Sequence, residues 1–341
     1  MSDPPEGDAC PACGSPRTVR AFYARDLALR ALAGEFPYRR CRDCGSVFQA
    51  PQPTDAELRR AYPSSYGHYR QAHALLERLA APLTMPEVRR FMRHSDSSGH
   101  LIELGAGSGQ FLERLKRCGW TGRMEAIELD ASTASALAQR MGIPVRTANL
   151  DHEILPAASY DVIVMRHVLE HVRRPADTLQ MVYRALRPGG VLLIGTPDAR
   201  ALSARMFGRH WWGYEVPRHL VVFSSGALVS LLRRIGFEPL DRWSGFSPQM
   251  WSASLRLLLA DQQGPRWWHR IAGSPFNPVT AAAFSGGAAV EAALGRSTML
   301  SVVARRPPPS VRMLDRARHL HDGRAARRHP PAKLDRSEWS R

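Results

Sequence analysis

The sequence predicts a doubly wound α/β protein with a small four-cysteine metal ribbon at its N-terminus. Three observations carry that expectation. The run Leu101-Ile102-Glu103-Leu104-Gly105-Ala106-Gly107-Ser108-Gly109 is a short apolar segment ending in three alternating glycines. A helical pattern follows at once, with Phe111, Leu112 and Leu115 on one side, so the stretch reads as strand, tight turn, helix. Val162 to Met165 is an unbroken, mostly β-branched run of the kind buried in parallel sheets. Finally, Cys10-Pro11-Ala12-Cys13 and Cys41-Arg42-Asp43-Cys44 are paired C-x-x-C knuckles, each followed by a glycine (Gly14, Gly45).

At 341 residues and 44% hydrophobic content the chain has material for one large domain and a small one. It contains no uncharged apolar run long enough to span a bilayer, and Met1 to Gly7 is polar and acidic, so a cytosolic, cytoplasmic protein is expected. The net charge is +16, of which +7 falls in residues 305–341, with 11 Lys/Arg against 4 Asp/Glu. That composition predicts a disordered basic tail, able to touch nucleic acid or an anionic membrane but equally a solvated extension. The expected organisation is a ribbon over 1–50, a helical linker or lid over 51–98, the α/β domain over 99–304 and the tail over 305–341.

In the ribbon, each C-x-x-C turn aims two thiolates at one point, and two turns complete a tetrahedral site. Cys10, Cys13, Cys41 and Cys44 are therefore the expected ligands of a structural zinc, because four thiolates leave no place for a catalytic water. Disulfides are the alternative, disfavoured in a reducing compartment. Phe22, Tyr23, Leu27 and Leu29 supply a hairpin between the knuckles. Arg39, Arg40 and Arg42 could contact phosphates, but the ribbon lacks a dense basic–aromatic face. A docking or structural role thus ranks ahead of nucleic-acid binding. Cys118 stands alone and reads as a small core residue.

Thr54 and Glu57 form a capping-box pattern, and helices are expected over Gln71–Leu79 and Pro86–His94. Tyr62, Tyr66 and Tyr69 lie in the same stretch and read mainly as packing residues. The glycine turn admits two ligand types. A dinucleotide wants G-x-G-x-x-G, but here the third glycine falls one residue early and Gln110 holds its place. After the turn, Met124 to Glu128 reads as a second strand ending in an acid able to accept both hydroxyls of a ribose. Asp130 is the rival acid, and it fits better as the N-cap of a helix over Ser132 to Met141.

The E-x-G-x-G-x-G pattern resembles the first motif of class I S-adenosylmethionine-dependent methyltransferases. Three later segments extend the resemblance in order: Val145 to Asp151, the Val168-Leu169-Glu170-His171-Val172 run, and the Leu186-Arg187-Pro188-Gly189-Gly190 turn. Together they are similar to the ubiquinone-type and related small-molecule methyltransferases over roughly residues 99 to 240. The resemblance implies a Rossmann-like seven-stranded sheet closed by a strand near Thr298 to Ala304, with S-adenosylmethionine as cofactor. It implies a cofactor-binding set of Glu103, Gly105, Ala106, Gly107, Gly109, Glu128, Leu129, Asn149, Leu150 and His167. Within that set the glycines meet the methionine moiety, Glu128 the ribose, and Asn149 with Leu150 the adenine. Asn149 replaces the commoner Asp, and its carbonyl still accepts a hydrogen bond.

His167-Val168-Leu169-Glu170-His171 also matches the H-x-x-E-H peptidase pattern, but it begins at a strand end rather than inside a helix. Some ubiquinone-type relatives hold a divalent ion with Glu-x-x-Glu-His there, and His167 stands in place of the first Glu. Glu170 and His171 otherwise fix the turn by hydrogen bonding. His210 to Ser224 is dense in aromatics and resembles the stretch that covers the methyl end of the cofactor in related bacterial enzymes, with Tyr214 and His219 as candidates for contacting substrate and core packing as the alternative for each. His167 and His219 are the candidate catalytic bases. Ser224 to Ile235, closed by Gly236, reads as a capped helix. Residues 250–296, with Trp267, Trp268, Phe276 and Phe284, are an apolar insertion that could cap the pocket, form a homodimer face or lie on a membrane surface.

The expected activity is methyl transfer to an oxygen, nitrogen or carbon of a small-molecule acceptor such as a sugar, a polysaccharide precursor or a secondary metabolite. The alternative is a nucleic-acid-associated protein whose methyltransferase-like domain binds cofactor without turnover.

Overall fold

Parallel strands fill the centre of the molecule because their sequences are apolar on both faces. The computed structural model describes residues 9–62, 81–262 and 278–308. Its main sheet contains β4 (Leu101–Leu104), β5 (Met124–Glu128), β6 (Val145–Thr147), β7 (Tyr160–Arg166), β8 (Leu186–Pro197), β10 (Glu238–Gly245) and β11 (Met299–Arg305). The strand order is β10-β11-β8-β7-β4-β5-β6. Neighbours from β8 through β6 pair in parallel, while β11 runs antiparallel to both β8 and β10. This is the seven-stranded, Rossmann-like arrangement expected from the sequence. The strand order reverses direction between β4 and β7, so the loops after those strands open together at one edge, where α/β sheets place their ligands.

Local chemistry decides most helix limits. Helix Ala131–Met141 starts on Asp130, whose carboxylate accepts the Thr133 amide at 2.8 Å, and ends on left-handed Gly142. Helix Ser225–Ile235 starts on Ser224 and ends on Gly236, as the sequence predicts. The capping box is present, with the Glu57 amide on Thr54 Oγ1 at 3.2 Å and the Thr54 amide on Glu57 Oε2 at 2.7 Å. One expectation is corrected. The helix expected from Pro86 runs from Ala81 to Met92 with Pro86 inside it. The Gln71–Leu79 helix, Tyr66, Tyr69, Trp267, Trp268, Phe276 and residues 309–341 lie outside the described residues.

The ribbon is a hairpin of β1 (Thr18–Ala24) and β2 (Phe36–Cys41), extended by β3 (Val47–Gln49). Its fourth strand comes from far along the chain: β9 (Val221–Val222) pairs with Val47 and Phe48. Residues through Arg306 accordingly form one unit in which ribbon and sheet share a core. Among the described residues of the apolar insertion, Trp251, Ala253, Leu257 and Ala288 are buried while Val279, Val290 and Leu294 are exposed. On helix Pro248–Asp261, Trp251 packs against Phe207 and Phe284 and donates to buried Glu291, which also accepts from Ser203. No helix among the described residues is long and apolar enough to cross a membrane.

Candidate functional site

The glycine turn follows β4 and needs left-handed backbone. Gly105, Gly107 and Gly109 have φ of +67°, +55° and +69°. At Gly105 a Cβ would stand 2.5 Å from Val168 Cγ2, so a side chain has neither the conformation nor the space. The Gly105 and Ala106 amides are spent on the Ile127 carbonyl at 2.7 and 3.1 Å. The Gly107 amide instead donates to Glu128 Oε2 at 2.7 Å, tying the turn to the acid at the end of β5. Glu103 and Glu128 are both buried, each 3% exposed. Leu129, beside Glu128, is half exposed. Asn149 Oδ1 accepts the amide of Asp151 at 3.0 Å, closing a local turn, and Leu150 packs on the core. The structure thus brings Glu103, Gly105, Ala106, Gly107, Gly109 and Glu128 together, with Asp130 used as a helix cap.

Beyond the glycine turn, β7 is followed directly by His167, held at φ +55° with its amide on the Gly195 carbonyl at 2.7 Å. Histidine tolerates this left-handed conformation better than most side chains, yet it stores strain at a strand end. The imidazole is 41% exposed, and Nδ1 lies 3.5 Å from Oε1 of fully buried Glu170. Oε2 of Glu170 accepts from Thr196 Oγ1 at 3.0 Å. The H-x-x-E-H pattern spans this turn and no helix, which removes the geometry a peptidase zinc site requires.

His219 is 4% exposed. Its Nδ1 lies 2.7 Å from the Gly213 carbonyl, and its Nε2 lies 3.3 Å from Glu215 Oε2. His171 stacks edge-on against it at 4.6 Å and sits 2.9 Å from Tyr62 Oη. Glu170, His171 and His219 offer donor atoms within 4.8 Å of one another, but each histidine is already engaged in this network. Tyr214 is buried, tilted against Phe22 and Tyr38 and edge-on to Trp211.

Burial alone would raise the Glu170 pKa, but the His167 hydrogen bond and the nearby His219 and His171 charges reverse it and hold it at about 2. Glu215 behaves likewise: burial opposes ionisation, and the His219 and Arg218 contacts hold its carboxyl well below the ordinary range. Burial lowers the His219 pKa, and the Glu215 hydrogen bond, the Glu215 and Glu170 charges and the Gly213 carbonyl together outweigh it, so the net shift is upward from 6.5. The depressed carboxylates contribute stability that is complete above about pH 5 and lost as pH falls through 4.5 toward 2. The raised histidine contributes stability that is complete below 6.5 and lost as pH climbs through its folded value. Denaturation midpoints in urea should therefore peak between about pH 5 and 6.5 and fall on both sides. A midpoint that rises steadily from pH 5.5 to 8 would contradict the His219–Glu215 pairing.

The four knuckle cysteines converge, with every Sγ within 4.8 Å of the others and the Cys10–Cys44 and Cys13–Cys41 pairs at 3.6 Å. A tetrahedron of sulfurs at about 2.3 Å from zinc has edges of about 3.8 Å, so the donor set fits that ion. Gly14 and Gly45 turn left-handed at φ +79° and +75°, and their amides return to the carbonyls of Cys10 and Cys41. Cys118 caps the helix Gln110–Arg117 and packs on the core.

Two residues central to this region escaped the sequence. Arg218, fully buried, bonds Asp26 Oδ1 at 3.0 Å from 192 positions away, and also the carbonyls of Ala61 and Val216. Neither Asp26 nor Arg218 belongs to a periodic or motif pattern, so nothing local announces the pair.

Residues 66–241 match the family described as a methyltransferase domain. The ubiquinone biosynthesis O-methyltransferase of Cereibacter sphaeroides is 29% identical over 169 residues, spanning 46% of this chain and 67% of that enzyme. The malonyl-[acyl-carrier protein] O-methyltransferase of a Paenibacillus species is 28% identical over 200 residues, spanning 54% of this chain and 72% of that enzyme. The Caulobacter vibrioides ubiquinone biosynthesis O-methyltransferase is 27% identical over 165 residues, covering 42% and 66% respectively.

Proposed function

Since the chain belongs to the methyltransferase-domain family, as a class I S-adenosylmethionine-dependent enzyme, we propose that it methylates a small-molecule acceptor, of the sugar, polysaccharide-precursor or secondary-metabolite kind. The observation that carries this reading is the hydrogen bond from Gly107 to Glu128 across the triple-glycine turn. It sets a carboxylate beside a turn whose alternating glycines let a ligand approach the backbone, as a ribose and a methionine moiety require. When bound, the cofactor supplies a methyl group on a sulfonium, already a good leaving group, so the protein's task is alignment. Gly105, Ala106, Gly107 and Gly109 hold the methionine part, with Glu103 buried behind them. Glu128 holds the ribose, and half-exposed Leu129 covers the base together with Asn149 and Leu150.

His167 takes the acceptor proton. Of the two candidate histidines it alone reaches solvent, and Glu170 orients its ring from behind. His219 is a positioning residue, fixing the segment from Trp211 to Phe223 through Gly213 and Glu215. With labelled S-adenosylmethionine and a metabolite panel, His167→Ala should lower kcat by about 100-fold while the cofactor's affinity stays within about threefold. Unchanged turnover would remove His167 from the chemistry.

Zinc at Cys10, Cys13, Cys41 and Cys44 has a structural role. The Ser224 hydroxyl donates to the Cys44 carbonyl, and the Ser224 amide donates to Ser46 Oγ at 3.1 Å, so the knuckle pins the end of the acceptor-side segment. Stripping zinc with a chelator should lower Tm by at least about 5 °C and shift tryptophan emission to the red, as Trp211 loses its packing. An apo-protein with unaltered emission and Tm would contradict this role.

A further inference from the structure

An open groove of about 850 Å³ lies between the second cysteine knuckle, the residues that follow β8 and the start of helix Ser225–Ile235. Arg40, Arg42, Arg200, Arg205, Arg234 and Arg296 line it. Its one acid, Asp43, is already paired with Arg17 at 2.9 Å. Among the described residues, none of the six arginines forms an ion pair with an acid. Two are fixed against ribbon backbone: Arg234 donates to the Ala12 carbonyl at 2.6 Å and Arg40 to the Gly45 carbonyl at 3.4 Å. Gly226, in the first turn of the helix, adds an amide without an intrahelical partner and the positive end of the helix dipole.

Six like charges gathered in one concavity repel one another, and a multiply charged anion relieves that repulsion. Arginine presents paired donors that match phosphate oxygens. The groove's lining contains no aromatic side chain and no large aliphatic one. It therefore offers nothing for nucleic-acid bases to stack on and nothing for an acyl chain. Its volume is that of a small-molecule site rather than of an extended strand track. Along the chain the groove's wall begins at Ala199, two residues beyond Pro197 at the end of β8, and it includes Ser224, which ends the aromatic segment from His210.

We propose that this groove binds the phosphates of a small diphosphate-bearing molecule, and that this molecule is the methyl acceptor. The first half stands on the groove alone, while the second rests on the methyltransferase reading above. Calorimetry on the full, zinc-loaded chain with inorganic pyrophosphate, uridine diphosphate and a single-stranded oligonucleotide tests the first half. Both diphosphates should bind the wild type, and the Arg42→Gln/Arg205→Gln/Arg296→Gln variant should weaken them about 100-fold. These three side chains make no hydrogen bond to a described residue, so S-adenosylhomocysteine should bind the variant as it binds the wild type. Uridine diphosphate binding more tightly than pyrophosphate identifies a nucleotide-linked ligand, and equal binding identifies recognition of phosphate alone; either supports the proposal. Diphosphate binding that is absent, or equal in the triple variant, overturns it, as does an oligonucleotide that displaces pyrophosphate. For the second half, pyrophosphate should compete with the acceptor found by the metabolite panel, and competition with the cofactor alone overturns that assignment. Failure of S-adenosylhomocysteine to bind the wild type would sink the methyltransferase reading and leave the diphosphate result standing.

Discussion

Asp26→Asn lowers Tm by about 10 °C, because it removes one of the two carboxylates paired with the fully buried Arg218 guanidinium and leaves Glu215 as its remaining counter-ion. Breaking a buried pair from one side costs about 3–5 kcal/mol, whereas exposed pairs such as Arg305–Glu238 contribute well under about 1 kcal/mol. Asp26 takes the Leu29 amide on Oδ1 at 3.2 Å and the Ala31 amide on Oδ2 at 2.9 Å, and asparagine keeps an acceptor for one of the two, so the loss combines the missing charge with one ribbon-turn hydrogen bond. Pairing Asp26→Asn with Arg218→Met should restore more than half of the stability, since the two side chains interact directly. The effect should extend to the acceptor side. Arg218 also grips Glu215 at 3.1 Å and the carbonyls of Ala61 and Val216, so one guanidinium ties ribbon, linker helix and the Trp211–Phe223 segment together. A loss below about 1 kcal/mol in urea titrations would show that the pair is not what joins these elements.

Glu128→Ala should weaken S-adenosylhomocysteine by about 100-fold or more in calorimetry, since each hydrogen bond to a charged acceptor contributes about 1.5–3 kcal/mol. It also frees the Gly107 amide and loosens the turn. Asp130→Ala is the informative contrast. Its carboxylate holds the Thr133 amide at 2.8 Å and Ser132 Oγ at 2.6 Å, so its loss should cost about 1 kcal/mol of stability and leave cofactor affinity within about threefold. A larger affinity loss in Asp130→Ala than in Glu128→Ala would reverse the assignment of the ribose acid.

These experiments bear on different links between sequence and function. Glycine at alternating positions, an acid one strand later, Asp130, Ser224 and Thr54 as caps, and two C-x-x-C knuckles are all short-range chemistry. Each depends on a few neighbouring residues meeting backbone or one another, so sequence alone determined the glycine turn, the strand and helix order and the four-sulfur cluster. Helix Ala81–Met92 running through Pro86 shows the limit of such reasoning, because a local helix breaker was overridden by its surroundings.

Only the tertiary structure decided the rest. Val221–Val222 is too short to show strand periodicity and becomes a strand by pairing with Val47 and Phe48. Asp26 and Arg218 become partners because two distant loops are buried against each other, and six dispersed arginines become one groove because ribbon, β8 and helix Ser225–Ile235 converge. Burial also separates the two histidines, leaving His167 at the solvent edge of the turn and His219 locked inside. Spacing along a chain encodes turns and caps, whereas charge pairing and solvent access are properties of surfaces that exist only after the chain has packed.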